Sequence, residues 1–231
     1  RSNIRRGHHN ARFFEMGQCF FGTSVDTQIQ KVAGIISGNR HDAQWSESER
    51  AVDFFDAKSD VEALLSHSTD SFTFEAADHP ALQIGQSAKI MKGSELIGWV
   101  GALSPKLLKA LSMPNAFLFE LNQGAIEQGK ISRYEAFSSF QASQRDIAIV
   151  VSKEVTADAL ISSINTLKQG DLVDVNLFDV YEGEHIEKGY RSVALNLTYQ
   201  SIEATLTDEQ LAQKVSKIVS HLQTKFSAKL R

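Results

Sequence analysis

The sequence predicts an α+β chain in two parts, an antiparallel sheet carrying helices and then a compact β-α-β-β-α-β unit. Three observations lead there. Apolar residues switch along the chain between period-two runs and helix-spaced stripes. All three prolines (Pro80, Pro105, Pro114) and both tryptophans (Trp45, Trp99) precede residue 115, whereas all four tyrosines (Tyr134, Tyr181, Tyr190, Tyr199) follow residue 133. The polar stretch from Asn122-Gln123-Gly124 to Gly129-Lys130-Ile131-Ser132 lies at that break. It places a boundary near 130–137, with domains at 1–130 and 138–231.

The first part reads as strands punctuated by helices. Residues 12–22 and 28–38 are β-rich apolar runs joined by a polar turn, which predicts an antiparallel hairpin. Asp53–Ser66 reads as a helix, with Phe54, Phe55, Val61, Leu64 and Leu65 at helix spacing and Asp53 as its cap. Strands follow at 72–76, 86–91 and 96–102. Ser104-Pro105 then opens a short helix, where the missing proline N–H costs little. Residues 116–121 read as one more buried strand.

The second part is more regular. Residues 145–152 form a buried strand, and Thr156 caps a helix with Leu160, Ile161, Ile164 and Leu167 on one face. Residues 172–181 and 192–200 alternate as strands, with Gly183 and Gly189 bracketing a charged connector. Thr207 and Gln210 make a capping box. The helix after them carries Leu211, Val215, Ile218, Val219, Leu222 and Phe226 on one stripe. A short last strand at 228–231 completes the split βαβ, ferredoxin-like order.

Composition narrows the class. The chain has 231 residues, 42% of them hydrophobic, a net charge of −4 and one cysteine, Cys19. A disulfide framework is excluded, and a reducing, cytoplasmic setting is expected. No apolar run approaches the roughly 20 residues of a membrane span. The chain begins Arg1-Ser2-Asn3 rather than with Met, which reads as a piece cut from a longer protein.

Catalytic constellations are missing from the sequence. Cys19 sits in an aromatic run without a motif and reads as a structural thiol. His8-His9 would point to opposite faces of a strand, so no metal site is expected. There is no P-loop, no Gly-x-Gly-x-x-Gly and no Gly-x-Ser-x-Gly. Residues 133–231 hold 11 basic and 13 acidic residues, so they do not form a non-specific phosphate binder. Reading a few splayed bases needs less charge and more aromatic surface. Asp179-Val180-Tyr181 could supply it, because i and i+2 share a strand face. Spacing alone describes the pair more simply as an ordinary solvent-facing strand end.

Four ordered blocks change that weighting. They are Phe140-x4-Arg145-Asp146-Ile147-Ala148-Ile149-Val150-Val151, Val175-Asn176-Leu177-Phe178-Asp179-Val180-Tyr181-Glu182-Gly183, Gly189-Tyr190-Arg191-Ser192 and Thr205-Leu206-Thr207-Asp208-Glu209. Over 138–231 they resemble the ferredoxin-fold anticodon-binding domain of the bacterial phenylalanine–tRNA ligase β-chain family. Upstream, Phe13-Phe14-Glu15-Met16-Gly17, Asp53-Phe54-Phe55-Asp56-x-Lys58-x-Asp60, His79-Pro80 with Gly85-Gln86-Ser87-Ala88, and Ile97-Gly98-Trp99-Val100-Gly101 resemble the same family's class II synthetase-like core.

The resemblance implies a C-terminal piece of the β chain, itself without catalytic residues or cofactor. The whole enzyme would be an α2β2 tetramer joining phenylalanine to tRNA-Phe with ATP and Mg²⁺. It implies that Asp179 and Tyr181 contact the first anticodon base, the tyrosine by stacking. Arg145, Lys188 and Arg191 lie in or beside the matched blocks and join them as candidate RNA contacts. Residues 1–130 would brace the catalytic α subunit. Where a working class II core places a Gly-rich junction with an ATP-binding Arg, this chain has Phe117-Leu118-Phe119-Glu120-Leu121-Asn122. One departure is Gln141, where the family commonly has a Pro that fixes φ. The competing reading is a ferredoxin-like regulatory or protein-interaction module that binds a small ligand or partner.

Overall fold

The computed structural model describes residues 2–127, 129, 134 and 136–231. The chain divides into two compact units, Arg1–Ser132 and Arg133–Arg231. The boundary expected near 130–137 lies largely outside the described residues.

The first unit opens with a short helix α1 (Ser2–Arg5) and is organised by a six-stranded antiparallel sheet in the order β1-β2-β6-β5-β4-β3. Strands β1 (Ala11–Phe20) and β2 (Gln28–Ser37) form the expected hairpin, paired without interruption from Ala11↔Ser37 to Phe20↔Gln28. Helix α2 (Phe54–Leu65) follows. Asp53 accepts hydrogen bonds from the N–H groups of Phe55 and Asp56, and the Asp56 carboxylate accepts from the Asp53 N–H. The orphan donors of the first turn are thereby satisfied.

The buried face of α2 runs through Ala57, Val61 and Leu65, with Phe54 and Leu64 partly covered. Phe55, expected on that face, is 72% exposed. It lies one residue, or about 100°, round the helix from Phe54, outside the stripe. Strands β3 (Phe72–Ala76), β4 (Leu82–Lys92) and β5 (Glu95–Leu103) complete one side of the sheet. β4 starts earlier than its alternation suggests. Its pairing jumps between Leu82 and Ser87, and Gly85 turns there at φ +78°. Helix α3 (Pro105–Leu111) begins on its proline, and β6 (Ala116–Asn122) lies between β2 and β5. Val32, Ile36, Val100, Phe117, Phe119 and Leu121 bury the sheet's inner face.

The second unit has the expected order. Strand β7 (Ser143–Ser152) leads to helix α4 (Ala157–Asn165), whose cap Thr156 accepts from the Ala159 N–H. Strands β8 (Leu172–Tyr181) and β9 (Tyr190–Tyr199) follow, then helix α5 (Asp208–Phe226) and the two-residue β10 (Lys229–Leu230). The sheet order is β10-β7-β9-β8, all antiparallel, so β9 separates the two parallel-running strands of a split βαβ. The Thr207–Gln210 capping box is formed in full. Leu211, Ile218 and Leu222 of α5 and Leu160 and Ile164 of α4 pack on Ile147, Ile149, Val151, Val193, Leu195, Leu197 and Tyr199. Both helices therefore cover one face of the sheet, and among the described residues of this unit no helix covers the opposite, open face.

Candidate nucleic-acid interface

The open face follows from alternation. On β9 the core takes Val193, Leu195, Leu197 and Tyr199, so Tyr190, Ser192, Ala194, Asn196 and Thr198 point the other way, where Ser192 is itself covered at 3% exposure. On β7 the core takes Ile147, Ile149 and Val151, which leaves Asp146, Ala148, Val150 and Ser152 on the open side. The centre of that face is paved with small side chains: Ala148, Val150, Ser192 and Ala194.

Strand β8 reaches this face by an irregularity. Val175 pairs with Leu197 and Leu177 with Leu195, so odd-numbered residues face the core there. The pairing then shifts between Leu177 and Asp179. Phe178 is the extra residue, a β-bulge on an edge strand. Beyond it Val180 pairs with core-facing Val193, while Asp179 pairs with Ala194 and Tyr181 with Ser192. Odd numbers now face outward. Asp179 and Tyr181 share the open face, as the i, i+2 argument expected, but only because the bulge resets the parity set by Val175 and Leu177.

Two further residues shape the tyrosine. Gly183 lies against its ring: a Cβ there would come 2.1 Å from the Tyr181 hydroxyl oxygen. The Arg231 guanidinium, carried just past β10, sits 5.2 Å from the ring centroid, within cation–π range. Arg231 is held there by its backbone, whose N–H donates to the Ala148 carbonyl at 2.9 Å. Lys229, paired with Val150, adds a second cation to the same side. These two residues were not expected as site residues. Their signal is the alternation of Lys229 and Arg231 in a strand that pairs with β7.

The remaining candidates do not join this cluster. Arg145 pairs with Leu197, so it lies on the helix-bearing side, and its guanidinium is bound to Asp208 at the start of α5 and to the Gln144 carbonyl. Arg191 pairs with core-facing Val151 and donates to the Val155 carbonyl at 2.7 Å. Strand parity thus turns both away from Tyr181. Lys188 is exposed in the connector between β8 and β9. Cys19 is half-buried on β1 rather than enclosed. Among the described residues no group of three or more His, Cys, Asp or Glu gathers in a metal-binding arrangement.

In the first unit, β6 buries Phe117, Phe119 and Leu121, and its Glu120 is closed in an ion pair with Lys31. By the resemblance a working class II core would place glycines and a free guanidinium here to hold ATP and Mg²⁺, and this strand has bulky rings and a paired carboxylate instead. These residues do not fit that group.

Comparison with known proteins bears on the family and the fold. A family model described as the phenylalanyl tRNA synthetase beta chain CLM domain matches residues 1–123, and the ferredoxin-fold anticodon binding domain matches residues 138–231. Proteins named phenylalanine–tRNA ligase beta subunit are similar along the chain. Those of Coxiella burnetii and Idiomarina loihiensis are 39% and 40% identical over 99% of this chain, which covers 30% of each. That of Methylococcus capsulatus is 41% identical over 99% of this chain and 29% of its own length. The chain thus spans about 30% of the length of these curated relatives. Because the beta-chain family model matches residues 1–123, more than half of the chain, the chain belongs to the phenylalanine–tRNA ligase β-subunit family.

Proposed function

We propose that residues 138–231 hold the anticodon loop of tRNA-Phe on the open face of their sheet, and that residues 1–130 brace the catalytic α subunit of an α2β2 ligase. The observation that carries the first half is the joint exposure of Asp179 and Tyr181 on one face, beside the guanidinium of Arg231. Tyr181 offers its ring to the first anticodon base, and the Asp179 carboxylate accepts from that base's edge. Arg231 and Lys229 meet the backbone phosphates. Lys188, exposed in the connector, takes a lesser part, whereas Arg145 and Arg191 serve α5 and the β7–α4 turn on the other side of the sheet. Holding the loop selects the tRNA and orients its acceptor end toward the distant α subunit, where ATP and Mg²⁺ act.

Support for the bracing role comes from β1. It is the last strand of its sheet, so its outer N–H and C=O groups have no strand beside them. Phe13, Phe14, Met16, Phe20 and Phe21 are exposed along and just beyond it, and a groove of about 380 Å³ opens between Phe13, Phe14, Leu64 and Phe119. Among the described residues no helix is long and apolar enough to cross a membrane. The setting we assign is the cytoplasm, where tRNA is charged.

Tyr181→Ala is expected to weaken binding of the tRNA-Phe anticodon stem-loop by about 1–3 kcal/mol, the stacking contribution of one base. A titration that leaves affinity unchanged would sink the assignment. Gly183→Ala is expected to act in the same direction while keeping the ring, because its methyl would occupy the space the Tyr181 hydroxyl fills. Stem-loop affinity equal to the parent's would show that the ring position is unimportant. The acidic balance of residues 133–231 favours one competitor, a regulatory module for a small ligand. Calorimetry that finds a metabolite bound and no RNA would establish it.

A further inference from the structure

We infer that Tyr190 is a second base-stacking surface on the open face, taking the unpaired base next to the one held by Tyr181. The inference rests on the anticodon-loop reading above and adds to it a neighbouring base. Tyr190 pairs with Ser152 across β7 and β9, and the alternation that buries Val193, Leu195 and Leu197 turns Tyr190 outward with Ser192 and Ala194. Tyr181 stands opposite Ser192, so Tyr190 is its diagonal neighbour on the adjacent strand. Such neighbours are rooted about 7–8 Å apart, within reach of aromatic side chains. Both rings are 37% exposed. By contrast Tyr199, at the other end of β9 on the core side, is completely enclosed.

Among the described residues no aromatic ring stacks on Tyr190 and its hydroxyl takes part in no hydrogen bond. Its surroundings favour a nucleobase over an apolar partner. Half-buried Ser152 can offer its hydroxyl to a base edge, and the Lys153–Glu182 ion pair lies beside it. Phosphate attraction in this unit is weak, since residues 133–231 carry more acidic than basic groups. Affinity for a single-stranded loop then has to come from stacking, which one ring supplies for one base only. Two rings on adjacent strands of an open sheet supply it for two successive splayed bases.

The test is a titration of the full 231-residue chain with the tRNA-Phe anticodon stem-loop and with three loops, each abasic at one anticodon position. The parent, Tyr190→Ala, Tyr190→Phe and Tyr181→Ala proteins are run in parallel. Tyr190→Ala is expected to bind the native loop roughly tenfold more weakly, as loss of one stacked base requires. It should keep the parent's sensitivity to the first anticodon base and lose its sensitivity to the neighbouring one. Tyr190→Phe, which keeps the ring, should behave as the parent does. Parent-like binding by Tyr190→Ala alongside weakened binding by Tyr181→Ala overturns the second surface and leaves the anticodon reading standing. An equal loss by Tyr190→Ala at every abasic position also overturns it, because that is the signature of a backbone contact. A parent that does not prefer the native loop overturns both readings.

Discussion

Asp56→Ala is expected to destabilise the first unit by about 3 kcal/mol, the combined cost of charge-assisted hydrogen bonds and a helix cap. The side chain is only 7% exposed and receives both terminal nitrogens of Arg50, each at 2.8 Å. It also accepts the Asp53 N–H at 2.9 Å, and the Arg40 guanidinium lies 3.7 Å away. Removing the carboxylate strands two cations and one backbone donor at the start of α2. Arg50 is 41% exposed, so water recovers part of its loss, and the figure sits at the lower end of the range for a fully enclosed pair. Urea unfolding of the parent and variant measures it; a midpoint moved by less than the equivalent of 1 kcal/mol would refute the account.

The same carboxylate gives a pH dependence with a defined sign. The Arg50 hydrogen bonds hold the Asp56 carboxyl below its ordinary value, more than offsetting its burial. A group whose folded pKa is depressed contributes stability above its unfolded pKa, about 3.9, and loses it as pH falls through the folded value. The parent should therefore lose stability on acidification below about pH 4, and Asp56→Asn should show a flatter curve over that window. The two curves should converge at the acid end.

Leu195→Ala should cost the second unit about 2–5 kcal/mol, the range for a large-to-small change at an enclosed site. Leu195 has no exposed surface and lies on the middle of β9, between Ile147 of β7 and Leu177 of β8. Its neighbour Ala194 lies on the open face opposite Asp179. The substitution thus separates stability from recognition. Thermal unfolding should move to lower temperature, whereas stem-loop affinity measured well below that transition should match the parent's. A loss of affinity in the still-folded variant would mean that the core beneath the platform, and not only the residues upon it, sets recognition.

The order of elements could be read from the sequence because each signal was local. Period-two runs, helix stripes, the Thr207–Gln210 box and the Asp53 cap each need a few neighbouring residues. What could not be read depends on pairing. A bulge is a mismatch between two strands, and nothing in Leu177-Phe178-Asp179 by itself reveals that β9 supplies one residue fewer. The placement of Arg145 and Arg191 lay nearer the surface of the sequence. Each stands two residues before a core residue, Ile147 and Val193, and so shares its face. Membership in a recognisable block does not report which side of the sheet a residue occupies. Arg231 was hidden for the opposite reason: its partner ring is fifty residues away, and only the sheet order brings them together.

The edge strands β8 and β1 differ in what they invite. β8 is interrupted twice, at Leu172/Asp174 and Leu177/Asp179, and carries Asp174 and Asp179. A strand arriving from another molecule would find its ladder out of step and a carboxylate in the way. β1 has ten residues in unbroken register and a fringe of phenylalanines. In a concentrated preparation of the isolated chain, the route to insoluble β-aggregates runs through residues 11–20, and a lysine introduced in place of Phe14 should slow it.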